Sequence, residues 1–288
     1  MALITGWYPP TRENYDTLLL IWKFYPLFAS LQWLIGWYGM GKTNTASRLN
    51  IPGRLAWLTM ECPGFLTLLY TLRTLPSQAG VSDLPWQNKV LAALFVMHYI
   101  YRAVLFPFLQ PSMAPIHVLV WFFAGVFQVF NGVLIGSWLG AYGPTTKEAW
   151  ASQSGTGQFV FGISLFYFGL AANYYHDDEL REIRRREMGR QERIARREER
   201  DPKSVAKHYA VPEAGLFKVM LYPHYFVEWV EWTGFWIACG WRCQPAMMFV
   251  VNEVSAMLPR AVRGKWWYEE RFGKEKIRGR WAVIPGVI

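Results

Sequence analysis

The run RLAWLTMECPGFLTLLYTL, residues 54–72, is apolar enough to be membrane core, yet Glu61 stands near its middle. A charged carboxylate at the centre of a bilayer costs about 3 kcal/mol or more, so such a residue faces a partner or a cavity. Other polar groups interrupt apolar stretches in the same way: HYIYR from His98 to Arg102, FNG from Phe130 to Gly132, NYYHDD from Asn173 to Asp178, and YPHYFVEWVEW from Tyr222 to Trp232. Helical spacing puts Asn173, Asp177 and Arg184 on one face, Glu228 one turn after His224, and Glu231 one turn after Glu228. One or two such groups could simply pair neighbouring helices. So many, spread over several segments, point to a shared polar cavity where hydrogen-bond donors and charges meet a ligand.

The elements that must carry these residues follow from the apolar windows. The chain has 288 residues, 52% hydrophobic and 17% aromatic, with a formal net charge of +9. Its charges are concentrated: residues 181–207 hold 11 Lys/Arg against 6 acids, and residues 260–280 hold 8 against 3. Windows of membrane-crossing length predict spans at Asp16–Trp37, Leu55–Leu72, Val90–Leu109, Pro115–Leu139, Phe159–Tyr175, Met220–Cys239 and Ala246–Leu258. The expected fold is an all-α integral membrane protein of about seven transmembrane helices around an intramembrane cavity, a single domain over residues 1–288. The positive-inside rule puts Lys42, Arg48 and Arg54, the basic segment 181–208 and the C-terminal tail on the cytosolic side. The start, MALITGWYPPTRENY, lacks the pattern of a cleaved signal. Glu182/Arg186 and Glu192/Arg196 spacings predict an exposed helix in the basic segment.

Several chemistries are disfavoured. GWYGMGKT, Gly36–Thr43, fits the P-loop expression, but an aromatic-rich apolar run precedes it where a strand is needed. The five histidines, His98, His117, His176, His208 and His224, are too few and too scattered for a di-iron oxidase. His176, Asp177 and Asp178 are adjacent and point in different directions on a helix, so no metal is expected. Cys62, Cys239 and Cys243 form neither an even framework nor a zinc motif. The positive charge sits beside apolar spans, which suits membrane lipids or a phosphorylated cofactor better than nucleic acid.

RLNIPGRLAWLTMECPGF, VMHYIYRAVLFPFL, FNGVLIG, ANYYHDDELREIR, GLFKVMLYPHYFVEWVEWTGF and the ending WWYEERFGKEKIRGRWAVIPGVI occur in the order and approximate spacing of the steroid 5α-reductase family, which residues 36–288 resemble. The resemblance implies a reductase of the endoplasmic-reticulum membrane that uses NADPH to reduce a 3-oxo-Δ4-steroid or related terpenoid enone. It implies that Glu61 and Tyr99 bind the 3-oxo group, with Trp57 shaping the substrate pocket. Asn173, Asp177, Arg184, His224, Glu228, Tyr268 and Arg280 match cofactor-binding positions, so about 155–288 carries most of the NADPH site. No GxGxxG follows a strand, so the cofactor would bind within the helical bundle rather than on a Rossmann domain.

That reading gives Glu61 a task. Conjugate reduction of an enone builds negative charge on the carbonyl oxygen, and donors aimed there stabilise the transition state. An un-ionised Glu61 beside the Tyr99 hydroxyl would supply two donors. The chain departs from the family at His224 (usually Asn), at Phe106 and Met113 (usually Tyr and Arg), and at Gly264 (usually His). Polyprenol or trans-2-enoyl-CoA reduction are alternatives within the same superfamily. An S-adenosylmethionine-dependent membrane methyltransferase, using Glu228 and Glu231, is an alternative of another class.

Overall fold

A computed structural model describes residues 2–41, 44–199 and 209–288. The described chain is almost wholly helical: α1 (Arg12–Leu34), α2 (Gly53–Gln78), α3 (Trp86–Tyr99), α4 (Phe106–Leu109), α5 (Val118–Ser137), α6 (Lys147–Gln153), α7 (Thr156–Arg197), α8 (Pro223–Cys239) and α9 (Gln244–Phe272). Each of the seven apolar windows is mostly helical, that at Val90–Leu109 running over α3, a π-helical turn and α4. Three stretches are long and apolar enough to cross a membrane: Gly53–Gln78, Trp86–Leu109 and Val118–Tyr142. A fourth arises if the bent pair Lys147–Gln153 and Thr156–Arg197 counts as one span. The sequence predicts seven; α8 has only 17 residues and carries Glu228 and Glu231, while α9 carries Glu253 and Arg260 within its apolar part.

Local chemistry sets the helix ends. Thr11 caps α1 by accepting from the Asn14 N–H at 3.3 Å, and the His117 ring accepts from Leu119 N at 3.3 Å to start α5. α8 starts at Pro223, because proline suits the first helical position and has no N–H to leave unpaired. Just before it, Leu221 N and Tyr222 N donate to Trp281 O and Ala282 O, both at 2.9 Å, so the C-terminal tail braces the entry to α8. The only regular strands among the described residues, β1 (Asn50–Ile51) and β2 (Ile116–His117), pair antiparallel with Asn50 opposite His117.

Packing is closest between α7 and α8 and between α2 and α5. At the first of these, a Cβ on Gly162 would run into the Ala238 and Gly234 backbone, and one on Gly234 into Phe166 N and Gly162 O. The two glycines therefore let the helix backbones touch, the small-residue solution to packing without a hydrophobic drive between helices. Thr67 and Thr71 of α2 donate back to Pro63 O at 2.6 Å and Thr67 O at 2.8 Å. Outward-facing surfaces are apolar: Leu20, Ile21, Phe24, Leu27 and Leu31 on α1, Phe122, Phe123, Val126 and Val129 on α5, and Val160, Phe161 and Phe168 on α7 are all exposed. Such continuous apolar faces match a lipid surround rather than water.

α7 is 42 residues long and carries the basic segment onward as helix to Arg197. Residues 200–208 of the expected 181–208 insertion, and Lys42 and Thr43 of the P-loop-like run, lie outside the described residues. The described part of that run, Gly36–Gly41, follows α1 rather than a strand.

Candidate active site

α5 brings the two carbonyl-binding candidates together. Gln128 Nε2 donates to Glu61 Oε2 at 2.5 Å, and Asn131 Nδ2 donates to the Tyr99 hydroxyl at 3.1 Å. Gln128 and Asn131 are three residues apart on one helix, so they lie side by side and hold Glu61 of α2 and Tyr99 of α3 toward the same place. Gly64, one turn beyond Glu61, leaves the space: a Cβ there would meet Gln128 Oε1 at 2.6 Å and the Tyr99 ring at 3.5 Å. Tyr99 is 2% exposed. A π-helical turn, Ile100–Leu105, follows Tyr99 at once; such turns re-aim side chains, often at functional sites.

Within that turn, Arg102 is the hub of a buried charge network. It reaches Asp177 Oδ2 at 3.5 Å and Glu228 Oε2 at 3.9 Å. Its guanidinium lies over Trp57 at 5.0 Å and Phe106 at 4.8 Å, and Trp57 Nε1 donates to Arg102 O at 2.8 Å. Asn173 Nδ2 donates to His224 O at 2.9 Å and Glu228 Oε2 at 3.3 Å. His98 Nδ1 lies 2.7 Å from Glu231 Oε1, and its Nε2 lies 4.0 Å from Glu228 Oε1. Pairing of this kind is what lets charge persist where water is absent.

A cavity of about 300 Å³ opens at one end of this network. Arg184 from α7, His224 and Tyr225 from α8, and Arg260, Arg263, Gly264, Trp267 and Tyr268 from α9 line it, together with Tyr38, Met40 and Gly41 after α1. Arg184 Nη1 donates to Gln110 Oε1 at 3.3 Å. Arg260 stacks over Tyr38 at 4.2 Å and donates from Nε to Gln32 Oε1 at 3.2 Å. Arg263 donates from Nη2 to Trp33 O at 2.9 Å and from Nη1 to Ile35 O. Three guanidiniums around aromatic walls can receive phosphate oxygens and a flat ring together.

The expected site residues therefore fall into two places joined by His224, whose side chain lines the cavity and whose carbonyl accepts from Asn173. Trp57, Glu61, Tyr99, Asn173, Asp177 and Glu228 belong to the buried network, whereas Arg184, His224 and Tyr268 line the cavity. Arg280 does neither; it donates to Pro212 O at 2.7 Å. His176, weighed for a metal, uses both ring nitrogens on backbone, with Ala172 O at 2.7 Å and Leu216 N at 3.1 Å. Sequence reasoning assigned no task to Gln128, Asn131, Arg102, Arg260 or Arg263. Polar residues three apart in the otherwise apolar α5 were the available signal for the first two. Nothing in the sequence says that Arg102 meets Asp177 across 75 positions.

The family model for 3-oxo-5-alpha-steroid 4-dehydrogenase matches residues 114–288. The chain belongs to this family. A Schizosaccharomyces pombe protein described as uncharacterized is 33% identical over 252 residues, covering 82% of this chain and 84% of its own. The rat 3-oxo-5-alpha-steroid 4-dehydrogenase 1 is 30% identical over 240 residues, covering 83% and 82%. Steroid 5-alpha-reductase DET2 of Arabidopsis thaliana is 27% identical over 285 residues, covering 96% and 97%. The stretch matched by the 3-oxo-5-alpha-steroid 4-dehydrogenase model contains every residue expected to hold the cofactor, while Trp57, Glu61 and Tyr99 precede it.

Proposed function

We propose that this family member is a membrane-embedded oxidoreductase that reduces the carbon–carbon double bond of an α,β-unsaturated ketone with NADPH. A 3-oxo-Δ4-steroid or related terpenoid enone is the favoured substrate. The observation that carries the reading is the Glu61–Gln128 and Asn131–Tyr99 arrangement, which gathers two oxygen donors where a carbonyl could be received. The two family enzymes cited above, one named as a 3-oxo-5-alpha-steroid 4-dehydrogenase and the other as a steroid 5-alpha-reductase, support the substrate class.

The residues present fit NADPH. Arg184, Arg260 and Arg263 in one cavity suit its phosphates, and the Tyr and Trp faces suit its rings. At about 300 Å³ the cavity is at the small end for a ligand site, so it suits one portion of a dinucleotide, with Asn173 and Glu228 beyond His224 for the rest. Bound there, NADPH would supply the hydride that ends on the β-carbon, and a proton drawn from the medium would complete the α-carbon. The Tyr99 hydroxyl and an un-ionised Glu61 hold the carbonyl oxygen and stabilise the charge that grows on it. Gln128 and Asn131 fix the two donors so that little reorganisation accompanies reaction. Burial of Tyr99 excludes water, which would otherwise weaken both hydrogen bonds.

This reading also includes the finer architecture: seven spans in the endoplasmic-reticulum membrane, an N-terminus outside and a C-terminus in the cytosol, in one domain. It is supported by the helices under all seven apolar windows and by the basic segments at α7 and the tail. The test is incubation of the protein in membranes with a 3-oxo-Δ4-steroid and NADPH, reading product mass. A gain of two hydrogens is expected. NADPH binding without turnover would move the search to other enones, and absence of NADPH binding would overturn the assignment.

A further inference from the structure

Within its apolar run FVVNEVSAML, α9 carries one carboxyl, Glu253. Glu253 is 8% exposed, and its Oε2 makes no hydrogen bond among the described residues. Helical spacing puts Phe249, Glu253, Arg260 and Gly264 on one face of α9. Toward one end of that face, Arg260 and Gly264 line the cavity. Toward the other, the centroid of the Phe249 ring lies 4.6 Å from that of Trp232, which in turn lies 6.1 Å from that of Tyr99. Glu253 therefore stands between the cavity and the tyrosine of the carbonyl pair, within electrostatic reach of the Tyr99 hydroxyl, as Glu61 is. Neither task already assigned uses it. The carbonyl oxygen has Glu61 and Tyr99 as donors, and a further carboxylate would repel the phosphates of NADPH rather than hold them.

We propose that Glu253 is a specificity-determining residue that hydrogen-bonds a hydroxyl on the substrate, which makes the substrate a hydroxylated enone. The proposal rests on the enone-reductase reading and narrows its substrate class. A carboxyl oxygen buried in an apolar part of a helix without a partner costs free energy, and a ligand that supplies the partner removes that cost. A hydroxyl does so in either protonation state, donating to a carboxylate or accepting from a carboxylic acid. It is also compatible with the otherwise lipophilic body of a steroid or terpenoid. A site with a buried polar group placed for a substrate hydroxyl discriminates against the analogue that lacks it, because the group is then left unpaired.

The experiment measures kcat/KM with NADPH, on the full chain in membranes, for a 3-oxo-Δ4-steroid without hydroxyls and for a series that adds a single hydroxyl at successive ring positions. Wild type should prefer one hydroxylated member over the parent about tenfold, the scale of one hydrogen bond to a carboxyl group. Glu253→Leu should bring that ratio to about one by lowering kcat/KM for the hydroxylated member. Glu253→Gln keeps the shape and one acceptor oxygen and should lower the ratio by less. No preference for any hydroxylated member, or a preference that survives unchanged in either variant, would overturn the proposal and leave the reductase reading intact. An equal fall for parent and hydroxylated steroid keeps the ratio, marks a structural role for Glu253, and overturns the proposal in the same way. Absence of turnover of the parent and of every hydroxylated member would instead overturn the enone reading, and the proposal with it.

Discussion

The buried network and the cavity use the same residue types to opposite ends. Around Arg102, each charge is matched by a neighbour: Asp177 and Glu228 converge on one guanidinium, Asn173 braces Glu228, and His98 meets Glu231. Around the cavity, Arg184, Arg260 and Arg263 bond to neutral amide and carbonyl oxygens and make no ion pair among the described residues. Cations already matched by carboxylates are structural, because removing a partner strands a buried charge. Cations held only by neutral oxygens keep electrostatic capacity for an anion from outside. The contrast separates the Arg102 cation, already matched, from the cavity cations that remain open to an anion.

Arg102→Ala should cause the largest change. It leaves Asp177 and Glu228 without their cation, and breaking a buried pair costs about 3–5 kcal/mol, read as a fall in melting temperature in detergent. A well-folded Arg102→Ala protein with unchanged melting would erase the distinction between the two regions. Tyr99→Phe should fold normally and lose about 100-fold in turnover, the scale of one oxyanion donor, with NADPH affinity retained. Arg184→Ala touches only the cavity and should weaken NADPH binding about tenfold, as for one charge-assisted hydrogen bond, with little change in melting.

The smallest effect belongs to the loop between α2 and α3. Lys89 lies 2.8 Å from Asp83 and, by hydrogen bond and charge, holds that exposed carboxyl below its ordinary range. A lowered folded value means that the pair's contribution is present above the ordinary carboxylate range and fades as pH falls through the lowered value. Solvent screening makes such an exposed pair weak, so Asp83→Asn should leave melting at neutral pH unchanged. A clear shift would mean that loop charge matters as much as the interior.

Much of the framework was legible because apolar windows of membrane length have few alternatives to helix. Their ends were less so. The window at Phe159–Tyr175 belongs to a helix that runs on to Arg197, since strong helix formers continue it past the apolar part. The window at Met220 begins before its helix, because Pro223 sets the start and the tail at Trp281 and Ala282 pairs with the residues ahead of it. Within the site, the face shared by Asn173 and Asp177 could be read from spacing. The gathering of Glu61 and Tyr99 by Gln128 and Asn131 could not, since it depends on α5 packing between distant helices. The π-helical turn after Tyr99, which carries Arg102, left no mark in the sequence pattern, nor did the packing of the Tyr222 hydroxyl against Gly264.

The most direct test of the division of labour is to measure, on one preparation of Glu61→Gln, both NADPH affinity and the rate of 3-oxo-Δ4-steroid reduction. The account predicts affinity within about twofold of wild type, because the cavity is untouched, and turnover reduced about 100-fold, because one carbonyl donor is lost. Wild-type turnover in Glu61→Gln, or loss of NADPH binding equal to the loss of rate, would contradict it.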